Sequence, residues 1–239
     1  MSPTSRKRIN FLVGFLLYFV GIWALWDTVL VYPVKVFVVL LHEISHAAAA
    51  VATGGSVERI VLDANQGGAA YTRGGIAFVT MSAGYLGSLL WGVLFVMLGF
   101  SRWLRPRWII GAIGLFVLLV TLSVVRGPFG LLFGLGAGSG LLAAAKYLSQ
   151  GTNRILLLGL GLTSVLYAIL DIKSDILARP HLRSDAAMLY EMTGIHTIVW
   201  GFLWIAIALL VSAWLLRWVA RRMDDFEMDQ DPPAPSPVT

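Results

Sequence analysis

Long apolar stretches alternate with short polar segments along most of the chain. Several of these stretches approach or exceed the roughly 20 residues that a helix needs to cross the hydrocarbon core of a bilayer. Their positions predict membrane spans at 9–31, 34–52, 76–100, 108–125, from about 155 into YAILDIKSDIL, and at 197–219. The small-residue segment LLFGLGAGSGLLAAAKYL is interpreted either as a tightly packed fifth span or as a re-entrant piece. We therefore expect an all-α polytopic membrane protein with about six to seven transmembrane helices.

Two polar segments interrupt or follow this pattern. After the second apolar stretch, VERIVLD alternates in polarity and is followed by the turn-rich NQGG and by AAYT. This order predicts a small β-hairpin after the second span. The end of the chain is charged and then rich in proline, which is typical of disorder. We expect one integral-membrane domain over 1–222 and a disordered acidic and Pro-rich tail over 223–239.

The composition agrees with a membrane protein and restricts its chemistry. Hydrophobic residues make up 58% of the chain and charged residues only 13%, and the mean hydropathy is +0.79. The net charge of +5 comes from Lys and Arg scattered near span ends, where anionic lipid head groups attract them. We therefore expect contact with the lipid bilayer and no nucleic-acid partner. Because the chain has no cysteine, metal ligands must be histidine or carboxylate groups.

The second apolar stretch contains three ionisable residues, His42, Glu43 and His46, in the sequence HEISH. On a helix, residues four apart share a face, so the two imidazoles can approach one metal ion while Glu43 lies beside them. This spacing is typical of zinc metalloproteases, in which the histidines bind Zn²⁺ and the glutamate acts as general base. A packing role or a proton path is the alternative, since ionisable groups inside a membrane usually mark some function.

A third metal ligand is expected from a carboxylate on a later span. Asp171 and Asp175 lie four residues apart in LDIKSD, so both can face the same side of a helix. Asp171 directly follows a long apolar run and is favoured as the ligand by its depth, with Asp175 as a supporting carboxylate or a second candidate. Asp27 and Asp185 are weaker candidates for the third ligand, and the pattern favours a solvated or capping carboxylate at each of them. His181 and His196 are predicted to be interfacial polar residues without a metal.

Several segments together resemble one protein family. HEISHAAAAVATGG, VERIVLDANQGGAAYTRGG, SAGYLGSLLWG, LDIKSD and SDAAMLYEMTGIHTIVWGFLW are similar to the B-like branch of the site-2 proteases, intramembrane zinc metallopeptidases of peptidase family M50. The similarity covers most of 41–204. It implies a membrane-embedded Zn²⁺ held by His42, His46 and an aspartate on a later span, with Glu43 as base. The LDIKSD segment lacks the glycine of the better-studied LDG motif, so the choice between Asp171 and Asp175 stays open.

The expected function is hydrolysis of peptide bonds in membrane-anchored protein substrates, as in regulated intramembrane proteolysis. The expected location is a bacterial inner membrane, and the sequence does not define the oligomeric state. A non-catalytic membrane protein that uses the same residues as a metal site, such as a transporter or an adaptor, is the alternative. Glu43 favours the enzyme, because a simple metal site does not need a general base, and a transporter more often contains repeated halves.

Overall fold

The structure is a computed structural model that describes residues 3–26, 28–173 and 184–228. Eight helices and a small sheet make up these ranges. Their order is α1 (Pro3–Ala24), α2 (Tyr32–Ala52), β1 (Ser56–Leu62), β2 (Gly68–Arg73), α3 (Ala77–Gly99), α4 (Pro106–Val124), β3 (Val125–Arg126), α5 (Pro128–Tyr147), α6 (Gln150–Lys173), α7 (Asp185–Thr193) and α8 (Thr197–Met228).

Within the described residues, six helices are long and apolar enough to cross a membrane: α2, α3, α4, α5, α6 and α8. The prediction of an all-α polytopic membrane protein with a small hairpin is confirmed. The small-residue segment whose depth the sequence left open forms α5, one of these six helices. In α1 the shorter stretch Val13–Ala24 is apolar. Helix α8 continues to Met228, past the expected end of the membrane domain, and the proposed disordered tail otherwise lies outside the described residues.

Helix α2 is the central element of the bundle. Of its most apolar 18-residue window, 72% is buried inside the protein, against 22% for α5. Pro33 stands in the first turn of α2, where its missing N–H costs no hydrogen bond. Thr53 caps the end of the helix, and its hydroxyl donates to the Ala49 carbonyl at 2.7 Å and accepts the Ile76 N–H at 2.9 Å. One side chain therefore joins the end of α2 to the start of α3.

The predicted hairpin lies alongside α2. Strands β1 and β2 pair antiparallel, and β1 also pairs in parallel with the two-residue strand β3, so the order in the sheet is β2-β1-β3. The Tyr32 hydroxyl, at the start of α2, donates to the Ala64 carbonyl in the hairpin turn at 2.7 Å. The hairpin therefore extends back along α2 from its end towards its beginning. Strand β2 has a neighbour on one side only within this sheet.

Helices α3 and α6 complete the core around α2 by a close antiparallel contact. A Cβ atom at Gly92 would lie 2.7 Å from the Gly161 carbonyl oxygen, and one at Gly161 would lie 2.9 Å from the Gly92 carbonyl oxygen. The Ser164 hydroxyl donates to the Ser88 carbonyl at 2.7 Å. Because backbones at this separation leave no room for side chains, the position of α3 relative to α6 is fixed.

Candidate metal and catalytic site

The two histidines of HEISH lie on one buried face of α2. His42 and His46 are 9% and 6% exposed, and their ring centroids are 4.8 Å apart at an interplanar angle of 71°. The helical repeat places both rings on the same side, as the spacing predicted. Glu43 is also buried, at 5% exposure. Three ionisable groups thus share the interior of the bundle.

Asp185, the first residue of α7, contacts both imidazoles. Its Oδ2 atom lies 3.1 Å from His42 Nε2 and 3.2 Å from His46 Nε2. Two ligands of a tetrahedral Zn²⁺ with bonds of about 2.0–2.1 Å are themselves about 3.3–3.4 Å apart, so the three atoms are spaced nearly as metal ligands. In the described parts of the chain, these three residues form the group that could hold a metal ion.

The interpretation of Asp185 as a solvated or capping carboxylate is wrong. Asp185 is 8% exposed, and the cap of α7 is Ser184, whose hydroxyl accepts the Ala187 N–H at 3.3 Å. Burial alone would raise the pKa of the Asp185 carboxyl group. The charges that His46 and His42 carry when protonated, together with the hydrogen bonds from their rings, outweigh burial and hold this pKa below its ordinary value. Asp185 is therefore an anion, the form in which a carboxylate binds a cation.

The second ring nitrogens of the histidines are in different environments. His46 Nδ1 donates to the Thr80 carbonyl at 2.6 Å, so Nε2, which faces Asp185, is the ring nitrogen that can bind a metal. His42 Nδ1 is buried and has no hydrogen-bond partner among the described residues. The His42 ring instead packs edge-on against Tyr85, with centroids 5.1 Å apart. One histidine is thus oriented by the backbone of α3 and the other by an aromatic ring of α3.

Glu43 points towards the hairpin. A Cβ atom at Gly68, the first residue of β2, would lie 2.7 Å from Glu43 Oε1. The absence of a side chain at Gly68 therefore lets β2 approach the carboxylate. Glu43, both histidines, Asp185 and part of β2 line one cavity of about 510 Å³. The arrangement places an acid–base group and three potential metal ligands around a common space that is large enough for a short peptide segment.

Asp171, the carboxylate that the sequence favoured as the third ligand, does not belong to this group of three. Asp171 lines the same cavity near the end of α6 and interacts electrostatically with His42. Asp175 lies outside the described residues, as do Asp27 and His181. His196 is exposed and its Nδ1 accepts the Ile198 N–H at 3.3 Å. Only the SDA segment could have indicated Asp185, because Ser184 is a typical N-cap and marks the start of a helix there.

The donor set fits a divalent metal ion. Two imidazole nitrogens and one carboxylate oxygen are the protein ligands that catalytic Zn²⁺ sites commonly use, and all three side chains are buried. His46 has the backbone partner that usually orients a metal-binding imidazole. The chemistry of the residues present therefore agrees with a metal site.

Comparison with known proteins identifies the family. A family model described as Peptidase M50B-like matches residues 15–215, which include both histidines, Glu43 and Asp185. Searches of curated proteins and of solved structures gave no match. The family match confirms the resemblance to the site-2 proteases, and it covers most of the chain, from α1 to α8. The protein therefore belongs to the M50B-like peptidase family, whose members are expected to be metallopeptidases, and it is a multi-pass integral membrane protein.

Proposed function

We propose that the protein is an intramembrane zinc metalloprotease that hydrolyses peptide bonds of membrane-anchored proteins. The observation that carries this proposal is the buried group of His42, His46 and Asp185, with Glu43 in the same cavity. A structural metal site needs only ligands, whereas this cavity also contains a carboxylate suited to proton transfer. The regulated character of the proteolysis and the bacterial inner membrane remain predictions from the sequence.

His42, His46 and Asp185 are the proposed zinc ligands. Two neutral imidazoles leave the charge of Zn²⁺ uncompensated, and the Asp185 anion lowers it. Asp171 and Asp175 remain the alternative ligands that the sequence predicted. Since Asp171 lines the cavity near His42, we assign it a supporting role beside the ligands.

The proposed mechanism uses Glu43 as general base and then as general acid. When bound, Zn²⁺ would polarise the scissile carbonyl group and make a water molecule more acidic. The Glu43 carboxylate accepts a proton from the attacking water and later transfers a proton to the departing amine. His46 keeps its Nε2 directed into the site through its bond to the Thr80 carbonyl.

The free side of β2 is the proposed binding edge for the substrate. An extended peptide has unpaired N–H and C=O groups that lipid cannot satisfy, so it needs a backbone partner inside the membrane. Gly68 and Tyr71 of β2 both line the cavity, and Gly68 lies against Glu43. A substrate added as a strand would satisfy its backbone and pass beside the catalytic carboxylate.

The decisive test is Glu43→Gln in the purified full-length protein. Glutamine keeps the shape of the side chain but is a poor proton acceptor, so we expect turnover to fall by about 10²- to 10⁴-fold while zinc stays bound. Two substrates are compared. One is a membrane-anchored reporter with an extended segment, and the other is a fluorescence-quenched peptide that is too short to pair with β2. The longer substrate should be cleaved faster.

Glu58→Gln is the matched control, because Glu58 lies on the hairpin and pairs with Arg73 at 3.1 Å, away from the cavity lining. It should retain full activity and full zinc content. Equal turnover by Glu43→Gln and the wild type would exclude the mechanism. Membrane proteins that are cleaved in cells with the wild type but remain intact in cells with Glu43→Gln would be the substrates, and a comparison of the two membrane proteomes would identify them.

A further inference from the structure

Gly84 of α3 lies directly against the two imidazoles. A Cβ atom built at Gly84 would be 2.5 Å from His46 Nε2 and still closer to His42 Nε2. Zn²⁺ binds imidazole nitrogen at about 2.0–2.1 Å. A methyl group at this position would therefore stand almost at bonding distance from both proposed nitrogen ligands, in much the same space that a metal ion would need.

The imidazoles have little freedom to avoid such a methyl group. His46 is held by its 2.6 Å bond to the Thr80 carbonyl, one turn before Gly84. His42 packs against Tyr85, the residue that follows Gly84, and Tyr85 in turn packs against Trp204 with ring centroids 4.9 Å apart. Both rings are therefore fixed by the same helix that would carry the new side chain.

Helix α3 cannot easily move away as a whole. Its contact with α6 is made by backbone atoms at Gly92 and Gly161, and the Ser164 hydroxyl binds the Ser88 carbonyl at 2.7 Å. Rigid helix contacts of this kind transmit strain, because the interior of a protein is close-packed. A side chain at position 84 would thus displace the rings of His42 and His46 rather than move α3.

We propose that Gly84 is a positioning residue that keeps the metal position open. This inference rests on the proposed metalloprotease function and assigns a role to the SAGYLGS segment, which contributes no ligand. Gly84 makes no bond to the metal in this role. Its contribution is the space that remains between α3 and the two Nε2 atoms because the residue has no side chain.

Gly84→Ala and Gly87→Ala separate this role from ordinary helix packing. Gly87 lies on the same helix one turn later, and a Cβ there would overlap the Ser45 side chain of α2, which is not a proposed ligand. Both changes therefore crowd the same interface, but only Gly84→Ala crowds the metal position. The full-length variants are purified, stripped with a chelator and titrated with Zn²⁺ alone.

Gly84→Ala should lose stoichiometric zinc, with affinity reduced by more than the 10- to 100-fold that is typical of indirect contacts to a ligand. Adding Zn²⁺ should therefore no longer raise the unfolding temperature of Gly84→Ala, as it does for the wild type. Gly87→Ala should keep zinc affinity within about tenfold and keep the zinc-dependent rise, even if its metal-free form is less stable. These two readouts do not depend on activity.

Failure of this inference differs from failure of the proposed function. If the wild type binds no zinc, the metalloprotease proposal is wrong. If the wild type and Gly84→Ala bind zinc equally, only the role of Gly84 is wrong. Should Gly84→Ala not fold, His42→Ala and His46→Ala are added together to remove both imidazoles. Recovery of folding would locate the crowding at the ligands, and continued misfolding would show a packing role instead.

Discussion

Glycines allow close helix contact at both the α2–α3 interface and the α4–α5 interface, but the atoms that face these glycines differ. Between α4 and α5, a Cβ at Gly114 would lie 2.8 Å from the Gly138 carbonyl oxygen, and one at Gly134 would overlap Thr121. The neighbours there are backbone atoms and side chains without ionisable groups. At the α2–α3 interface, Gly84 faces two imidazoles instead. Close helix approach is thus general in this bundle, and a glycine gains a chemical role only where polar ligands face it.

The largest expected effect comes from removing the negative charge of Asp185, which contacts the two imidazoles at the α2–α3 interface. Asp185→Asn keeps the size of the side chain but removes the charge that compensates the metal, so zinc affinity should fall by more than about 100-fold and activity should be lost. Asp171→Asn is the matched change in the same cavity, and its effect on affinity should be at most about 10- to 100-fold. Competition titrations against a chelating dye measure both affinities.

The reverse result would restore the original prediction from the sequence. If Asp171→Asn is metal-free while Asp185→Asn binds zinc normally, Asp171 is the third ligand and the close contact of Asp185 serves only to orient the histidines. If both variants retain full affinity, the third ligand lies among the residues outside the described ranges, where Asp175 would be tested next.

A feature could be predicted from the sequence where it depends on residues close together in the chain. The histidine pair and Glu43 were predictable because ligands four residues apart meet on any helix. The hairpin was predictable from alternation and a turn-rich NQGG segment. The contact of Asp185 with the histidines was not, because it depends on how α7 docks between α3 and α8, and that docking uses the buried apolar side chains of Ala186 and Leu189.

The sequence pattern left the depth of α5 open and did not predict strand β3, for different reasons. The depth of α5 stayed open because its glycines reduce both hydropathy and helix propensity, although they are the residues that let it pack against α4. Strand β3 has only two residues, Val125–Arg126, and pairs with β1 far away in sequence. No periodicity can be recognised over two residues, so only the tertiary structure shows this strand.

An intermediate effect, on stability alone, is expected from adding a side chain at the α4–α5 interface. Gly134→Ala places a methyl group against Thr121, and overpacking of this kind typically costs about 1–3 kcal/mol of stability. Zinc content per folded molecule should be unchanged, because no ligand lies at the α4–α5 interface. Thermal unfolding in detergent and metal analysis of the folded fraction test the two statements. Loss of zinc without loss of stability would mean that the two interfaces are coupled.

The smallest expected effect separates two faces of the same helix. Gly136 lies two residues after Gly134, but a Cβ at Gly136 would meet no atom within 4 Å. Gly136→Ala should therefore leave zinc content and activity unchanged and stabilise α5 by up to about 1 kcal/mol, since alanine favours a helix more than glycine does. The measurement is the same unfolding experiment, with Gly134→Ala beside it. A clear destabilisation by Gly136→Ala would show that this open face is covered in the membrane by another chain, because within the described structure nothing stands in the way of the added methyl group.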